Sequence, residues 1–374
     1  MQVEVGSRHL ATEVTVAPDV TGRDHLVVVV KATWNIPDEG QRPRPLSPEP
    51  IVLVDEYFGD PGESPLRYGA DLARFKPRCD IIFDATAYAP GGVATRDLVA
   101  GFEVGSVLKR VRVTGPRRWT GSGNDPQGYR LGDPEPFLQV PMHFGRAFGG
   151  ARWHERDGQR LCEVLDSNPV GVGFAGMETM AQLAGASAPQ LMSVEHPLER
   201  PTANGLPVAL SAVGRHWQPR RGFAGTYDAV WQHDVFPLLP RDFDDQFNQC
   251  APLDQQMSYP RGGEPVRLVH LMQGRPDLRF ALPKLDMQVR VLRNDFSQAA
   301  PSAHVDTLFF DVDRGRFSVV WRATLPILRR LQEIKQVAIG PIDPVWWDRQ
   351  RLGGGCAGCR DDVPAQGVEE VQSE

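Results

Sequence analysis

The segment LVVVVKATWNI, residues 26–36, contains the longest apolar run of the chain, Leu26 to Val30. Four consecutive valines follow the leucine, and β-branched residues favour strands over helices. The run is short, and Pro37 ends it. The pattern predicts a buried strand.

Other short runs have the same character. Two glycine-containing turn signals, at 89–92 and 313–316, separate neighbouring runs. We predict strands at 51–54, 79–88, 98–113 (a pair broken near Gly105), 137–144, 266–272, 285–292, 304–311 and 316–323. We also predict helices at 177–186 and at 326–337, where Pro326 stands in the first turn and apolar residues recur at helical spacing. The sequence therefore predicts a mainly β fold: an antiparallel β-sandwich-like or elaborated β-sheet architecture with long irregular loops and few short helices.

Size and composition restrict the class of protein. The chain has 374 residues, 33 prolines and 37 glycines, with a net charge of −6. We expect one large β-rich domain over 1–340, or two packed sub-domains over about 1–150 and 151–340, followed by a polar, flexible tail over 341–374. An acidic chain offers no overall basic field, so we expect no nucleic acid and no membrane among its partners.

The cysteine count and the N-terminus bear on localisation. The N-terminus lacks a basic region followed by an apolar run, so no secretory signal is expected. Five cysteines, an odd number, fit reduced thiols better than a disulfide framework. We expect a cytoplasmic protein.

A proline-framed aromatic segment is the strongest functional signal. Residues 221–256 read RGFAGTYDAVWQHDVFPLLPRDFDDQFNQCAPLDQQ. The prolines exclude one long helix, and the aromatic density favours an ordered, packed surface element. Either its side chains contact a partner, or they fasten the long connection to the sheet. The candidate partner-binding residues are Tyr227, Asp228, Trp231, Phe236, Arg241 and Phe247.

A series of short strings stands in a fixed order over roughly residues 25–325. These strings are Lys31-Ala32-Thr33-Trp34, Lys76-Pro77 before Asp80, Ala87-Tyr88-Ala89-Pro90-Gly91-Gly92, Val104-Gly105, Lys109, Gly115 to Trp119, Arg146-Ala147-Phe148-Gly149-Gly150, Asn168-Pro169 with Gly171 and Gly173, Ala224-Gly225-Thr226-Tyr227-Asp228 with Trp231, Leu239-Pro240, Asp242-Phe243-Asp244, Phe247-Asn248, Ala251-Pro252, Asp254-Gln255-Gln256, Asp306-Thr307-Leu308 and Trp321-Arg322-Ala323. In the number and order of these strings, the chain resembles a bacterial family, domain of unknown function 2169, which is found with type VI secretion systems.

Membership would imply a non-catalytic adaptor or chaperone. Such a protein holds a type VI effector and helps to load it onto the secretion spike, which consists of a VgrG-type protein, often with a PAAR-type tip. The resemblance implies no enzyme activity and no cofactor. Its expected partners are therefore an effector protein and the VgrG-type or PAAR-type components.

The alternative is a carbohydrate-active or metal-dependent hydrolase on a β-rich scaffold, with Asp242, Asp244, His304 or Asp306 converging in a pocket. His304 and Asp306 lie two residues apart on one predicted strand, and with His143 or His270 they could bind a metal.

Three further patterns are weaker signals. The aspartates around 228–245 could form a calcium site or an acid/base pair, but capping of turns is the better account. Cys356 and Cys359 have the spacing of a metal or redox pair, but no second pair is present. Trp346 and Trp347 either anchor a partner or pack onto the body, and packing is favoured.

Overall fold

The computed structural model describes residues 1–352, and strands dominate that part of the chain. The strands are β1 Gln2–Val5, β2 Ala11–Pro18, β3 Asp24–Asn35, β4 Glu56–Tyr57, β5 Leu66–Tyr68, β6 Cys79–Asp84, β7 Thr86–Tyr88, β8 Asp97–Val104, β9 Val107–Thr114, β10 Trp119–Gly121, β11 Tyr129–Leu131, β12 Gln139–Pro141, β13 Phe148–Gly149, β14 Ala151–Arg156, β15 Gln159–Val164, β16 Val172–Gly173, β17 Leu191–Ser193, β18 Gln256–Met257, β19 Pro265–Met272, β20 Arg275–Ala281, β21 Val289–Arg293, β22 Gln298–Ala299, β23 His304–Asp311, β24 Arg316–Pro326 and β25 Ile334–Ile339. The α-helices are α1 Ala229–Asp234 and α2 Pro344–Arg351.

A six-stranded sheet contains the valine run. Its order is β18-β6-β23-β24-β3-β2, with β3 between β24 and β2. The β6–β23 pair is parallel and the other pairs are antiparallel. Because β3 has neighbours on both sides and both its faces are covered, every residue from Leu26 to Ala32 is buried. The predicted buried strand is confirmed.

A five-stranded antiparallel sheet packs against one face of the first sheet. Its order is β17-β9-β8-β19-β20. Phe83 on β6 and Phe102 on β8 meet across the interface, with ring centroids 4.4 Å apart. Phe317 on β24 and Phe280 on β20 make a second bridge at 5.8 Å. The mainly β prediction is confirmed, and the largest apolar core lies between these two sheets.

Both large sheets draw strands from distant parts of the chain. The first joins β3 and β6 to β23 and β24, and the second joins β8 and β9 to β19 and β20. Their side chains enter one core cluster. Residues 1–150 and residues 151–340 therefore share a core.

The helix predicted over 326–337 is wrong, because the end of this segment is a strand of a third sheet. Its order is β1-β25-β21-β22, and β25 pairs in parallel with β1 and antiparallel with β21. The helical spacing depends on Leu328 and Leu331, which are exposed, whereas Gln336 and Ala338 are buried by strand pairing. Tertiary pairing overrides the local pattern here. In the segment predicted as a helix over 177–186, the structure has only a 3-10 turn, Met180–Leu183.

Helix α2 lies within the segment predicted as a tail. Asp343 caps it by accepting a hydrogen bond from the Val345 amide at 2.9 Å. Trp347 is buried against Leu292 and Ala338, and its indole N–H donates to Gln298 at 2.9 Å. Packing, the favoured interpretation for Trp347, is confirmed. Cys356 and Cys359 lie outside the described residues.

The helices of residues 1–352 are all short. Among them, none combines the length and the apolar character needed to cross a membrane.

Candidate functional site

The aromatic segment folds as a compact surface element around α1. Asp228 caps this helix, because its carboxylate accepts a hydrogen bond from the Trp231 amide at 2.8 Å. The chain leaves α1 at Val235 and turns through Phe236 and Pro237. The capped helix and the turn bring side chains from both sides of the helix together.

Three aromatic rings form one contiguous cluster in this element. Trp231 lies between Tyr227, at a centroid distance of 4.7 Å, and Phe236, at 5.6 Å, and both contacts are edge-to-face. The indole N–H of Trp231 also donates to the Leu238 carbonyl at 3.0 Å. Trp231 is half-buried and supports its neighbours, which face solvent.

The exposed fraction of each side chain distinguishes the residues that pack within this element from those that face solvent. Tyr227 is 55% exposed, Val230 60% and Phe236 64%. Isolated exposed apolar residues are ordinary, but contiguous ones mark interaction surfaces. We define the aromatic patch as Tyr227, Val230, Trp231, Phe236 and Leu238.

The patch is fixed to the six-stranded sheet through the turn between β2 and β3. A Cβ atom on Gly22 would lie 3.0 Å from a methyl carbon of Leu238. Gly22 also has a φ of +80°, a conformation that favours glycine. The turn and the patch therefore pack closely at a point where a larger residue would interfere.

The aspartates of the segment act as turn caps. Asp242 accepts from the amide and the hydroxyl of Thr226, at 3.0 and 2.7 Å, and these bonds lower its pKa. Asp244 accepts from the Gln246 amide at 2.8 Å, and Asp245 pairs with Arg74. The capping interpretation is confirmed for Asp228, Asp242 and Asp244.

The six candidate partner-binding residues do not form one cluster. Tyr227, Trp231 and Phe236 are brought together in the patch, with Asp228 at its base. Phe247 instead contacts Phe243, at 5.9 Å between ring centroids, and lies beside the buried guanidinium of Arg220 at 5.7 Å. Arg241 is exposed on the turn that follows the patch.

A buried ionic layer lies under the irregular segments, on the face of the six-stranded sheet opposite the main core. Lys76 donates to Asp80 at 3.0 Å and to the Thr307 hydroxyl at 2.9 Å. Asp80 also accepts from the amides of Cys250 and Ala251, at 2.9 and 3.1 Å, and from the Gln249 side chain. These bonds fix residues 249–251 to β6.

The charge on Lys76 is stabilised by its surroundings. Burial opposes the ammonium charge, but the acidic groups around it, Asp80 foremost and then Cys250 and Asp306, together outweigh burial, so the pKa of Lys76 is raised. A buried pair of this kind adds little net stability, whereas loss of one partner leaves an uncompensated charge. The pair therefore acts mainly to specify where the covering loop lies.

Two further ion pairs extend the layer. Lys31 on β3 pairs with Asp71 at 2.5 Å, and Tyr68 donates to the same carboxylate at 2.6 Å. Arg322 on β24 pairs with Asp306 on β23 at 2.5 Å. Sequence reasoning missed this layer, because its partners are joined only by the folded topology.

The possible metal site at His304 and Asp306 has a different role in the structure. The Asp306 oxygens accept from Thr307 and Arg322, and the His304 ring stacks on Tyr259 at 4.6 Å. The Nδ1 atom of His143 accepts from the Gly145 amide. Within residues 1–352, no three His, Cys, Asp or Glu side chains are grouped to hold a metal ion.

The buried thiols are poor nucleophiles. Burial raises the pKa of Cys250 to about 12, despite the nearby Lys76, and burial raises the pKa of Cys79 well above its usual range. Only the thiolate is a strong nucleophile. These two cysteines therefore behave as small apolar side chains with weak hydrogen bonds.

Comparison with known proteins gives one clear match. Among curated proteins and among solved structures, nothing matches the chain. A family model described as "Uncharacterized protein conserved in bacteria (DUF2169)" matches residues 21–322, most of the chain. This protein therefore belongs to the DUF2169 family of uncharacterized bacterial proteins.

Proposed function

We propose that this protein is a non-catalytic adaptor or chaperone of a type VI secretion system, which binds an effector and helps to load it onto the VgrG-type or PAAR-type spike. The exposed aromatic patch is the observation that carries the proposal. Family membership and the sequence strings behind the resemblance support it. The adaptor would act in the cytoplasm, before secretion.

The patch offers substantial binding energy. Aromatic side chains bury about 150–250 Å² each, and Tyr227 and Phe236 are both more than half exposed. At about 25 cal/mol per Å², covering the exposed part of each ring would contribute roughly 2–3 kcal/mol. Tyrosine and tryptophan are also enriched among residues that dominate interface energies.

The patch is ordered before any partner arrives. Trp231 is held by two ring contacts and by a hydrogen bond to Leu238. Asp228 fixes the start of α1, and Asp242 ties the preceding turn to the following one. A preorganised surface loses little conformational entropy on binding, which favours affinity.

The charges around the patch specify the chemistry of the partner. Asp228, Asp234 and Asp242 are exposed, and residues 227–242 contain one arginine, Arg241, which is also exposed. The patch is thus an apolar surface with an acidic surround. A complementary partner would present apolar side chains flanked by lysine or arginine, and such pairing increases specificity and association rate.

The candidate acid/base residues already serve the fold, which supports a non-catalytic role. Asp242 and Asp244 cap turns, and Asp306 is held by Arg322 and Thr307. His304 and Asp306 both line one cavity, beside Arg322, whereas Asp242 and Asp244 are not part of its lining.

Co-purification with neighbouring gene products tests the proposed function. The toxin and spike proteins encoded nearest to this chain in its own genome are co-expressed with the full-length, tagged protein. We expect a stable complex with the toxin and reduced toxin secretion when this chain is deleted. Failure to bind any of these proteins, or unchanged secretion after deletion, would contradict the proposal.

A further inference from the structure

Strands β14 and β15 form a two-stranded hairpin that pairs with no other strand in the described part of the chain. An isolated hairpin is only marginally stable in water, so it needs packing on at least one face. One face has such packing. Arg152 donates to the Phe174 carbonyl at 2.6 Å. Glu163 accepts from the Thr179 hydroxyl, also at 2.6 Å. The hairpin is therefore attached to residues 174–179 through this face.

The opposite face of the hairpin is open to solvent. Directly opposite residues of paired strands share a face, and the register sets Trp153 opposite Cys162. We define the hairpin face as Ala151, Trp153, Glu155, Arg160, Cys162 and Val164. All six residues are exposed, with Trp153 at 53% and Val164 at 41%. Contiguous exposed apolar residues with a polar rim mark interaction surfaces, so we expect a partner to cover this face.

The hairpin face carries one charge of each sign, and among residues 1–352 neither makes an ion pair. Glu155 and Arg160 lie opposite each other in the register. The guanidinium of Arg160, however, lies over the Trp153 ring, 4.6 Å from its centroid. The ion pairs of this hairpin are made by Arg156, which alternates onto the attached face. A carboxylate and a guanidinium are therefore both accessible to a partner.

We propose that this face binds the same face of a second copy of the chain, forming a dimer with two-fold symmetry. A two-fold interface requires a surface that is complementary to itself. A face with both a carboxylate and a guanidinium beside an apolar centre meets that condition. With the symmetry axis along the strands, β14 of each copy lies over β15 of the other, at the usual spacing of about 10 Å between packed sheets. Glu155 then faces Arg160 of the second copy, and this contact occurs twice.

The apolar centre supplies the attraction, and the two charges fix the orientation. Covering the exposed Trp153 ring removes a large apolar area from water. An axis across the strands would instead place Glu155 over Ala151 of the second copy, with no pairing of charges. The hairpin face shares no residue with the aromatic patch, so each copy keeps its own patch and dimerisation does not depend on an effector.

Reversal of single charges tests this contact. In the full-length protein, Glu155→Arg and Arg160→Glu each bring like charges together at both symmetry-related contacts. We expect the dissociation constant of the dimer, measured by sedimentation under reducing conditions, to rise at least tenfold in each variant. Wild-type protein that stays monomeric up to roughly 100 µM, where a dimer of micromolar affinity is mostly formed, would overturn the proposal.

An equimolar mixture of the two variants distinguishes contacts between copies from effects within one hairpin. In the mixed dimer, both symmetry-related contacts again join opposite charges, whereas the repulsion within each hairpin remains. We expect the mixture to dimerise with nearly wild-type affinity. A mixture that dimerises as weakly as the separate variants would contradict the facing of Glu155 and Arg160.

A matched control and a third variant complete the experiment. Arg156→Glu makes the same change of charge in the same hairpin but on the attached face, and we expect it to leave dimerisation unchanged. If a charge variant fails to fold, Trp153→Ala removes the apolar centre without a change of charge, and we expect at least tenfold weaker dimerisation. Dimerisation that is unaffected by Trp153→Ala, or is weakened equally by Arg156→Glu, would refute the assignment of this face.

Discussion

At the scale of single residues, Lys76 shows how the covering segments are positioned. Lys76→Met removes the only cation bonded to Asp80 in the ionic layer. The buried Asp80 carboxylate then keeps only hydrogen bonds from uncharged donors, such as the Cys250 amide. We expect a loss of about 3–5 kcal/mol in the free energy of unfolding. Urea denaturation monitored by fluorescence measures it.

The matched control removes a lysine from an exposed pair. Lys284 contacts Asp286 at 2.8 Å, and both side chains are largely exposed. Lys284→Met should leave the denaturation midpoint almost unchanged, because solvent screens such pairs. Equal losses in the two variants would show that the ionic layer has no special role.

His143 gives a pH dependence at the same scale. Burial, followed by the charge of Arg146, lowers the pKa of His143 from 6.5 to about 4. Between these values the unfolded chain binds a proton that the folded chain does not, so stability falls as pH decreases from about 6.5 towards 4. The slope attributable to His143 approaches 1.4 kcal/mol per pH unit in that window.

Unfolding free energies at pH 7, 6 and 5 check this slope. His143→Gln should show a shallower decline than the wild type, whereas His233→Gln, which changes a histidine on the surface of α1, should follow the wild type. A wild-type slope retained in His143→Gln would mean that another group causes the acid sensitivity.

At the scale of elements, α1 depends on its cap. Asp228→Ala removes the hydrogen bond to the Trp231 amide, and loss of such a cap costs about 1 kcal/mol. Since α1 lies in a surface element, we expect faster hydrogen exchange in residues 229–238 with little change in the global melting temperature. Gln232→Ala, within the same helix, is the control. Unchanged exchange in the capping variant would contradict this role.

Sequence patterns at this scale predict strands better than they predict short helices. The hairpin of β8 and β9 turns at Gly105, as its alternation predicts, because one face enters the core and the other does not. The run at 326–337 has helical spacing, but its last third, residues 334–337, pairs with β1 and β21 as part of β25. The spacing of apolar residues within one segment carries no information about strands that pair with it from far away in the sequence.

At the scale of the whole molecule, the candidate sites differ in how far sequence could reveal them. The aromatic patch comes from one continuous segment, so its rings could be identified, although their exposure could not. The ionic layer joins residues such as Lys76, Cys250 and Thr307, which lie far apart in sequence. The lining of the cavity at Arg322 is equally scattered. Both depend on the strand order of the first sheet.

Residues from the strings that carry the family resemblance contact one another in the folded protein. Several of their polar members, including Lys76, Asp80, Thr307 and Arg322, meet in the ionic layer. Others, including Tyr227, Asp228 and Trp231, build the aromatic patch. The layer fixes the irregular segments on the sheet, and these segments include the one that presents the patch.

The most direct test of the central claim measures binding of the purified effector to three forms of this protein. The Tyr227→Ala, Phe236→Ala double variant removes the presented rings, and Trp153→Ala removes an equally exposed aromatic on β14, 53% exposed. We predict at least a hundredfold weaker binding for the double variant, or about 2.7 kcal/mol, with an unchanged melting temperature and full binding by Trp153→Ala. Wild-type affinity in the double variant would contradict the claim that this patch is the docking surface.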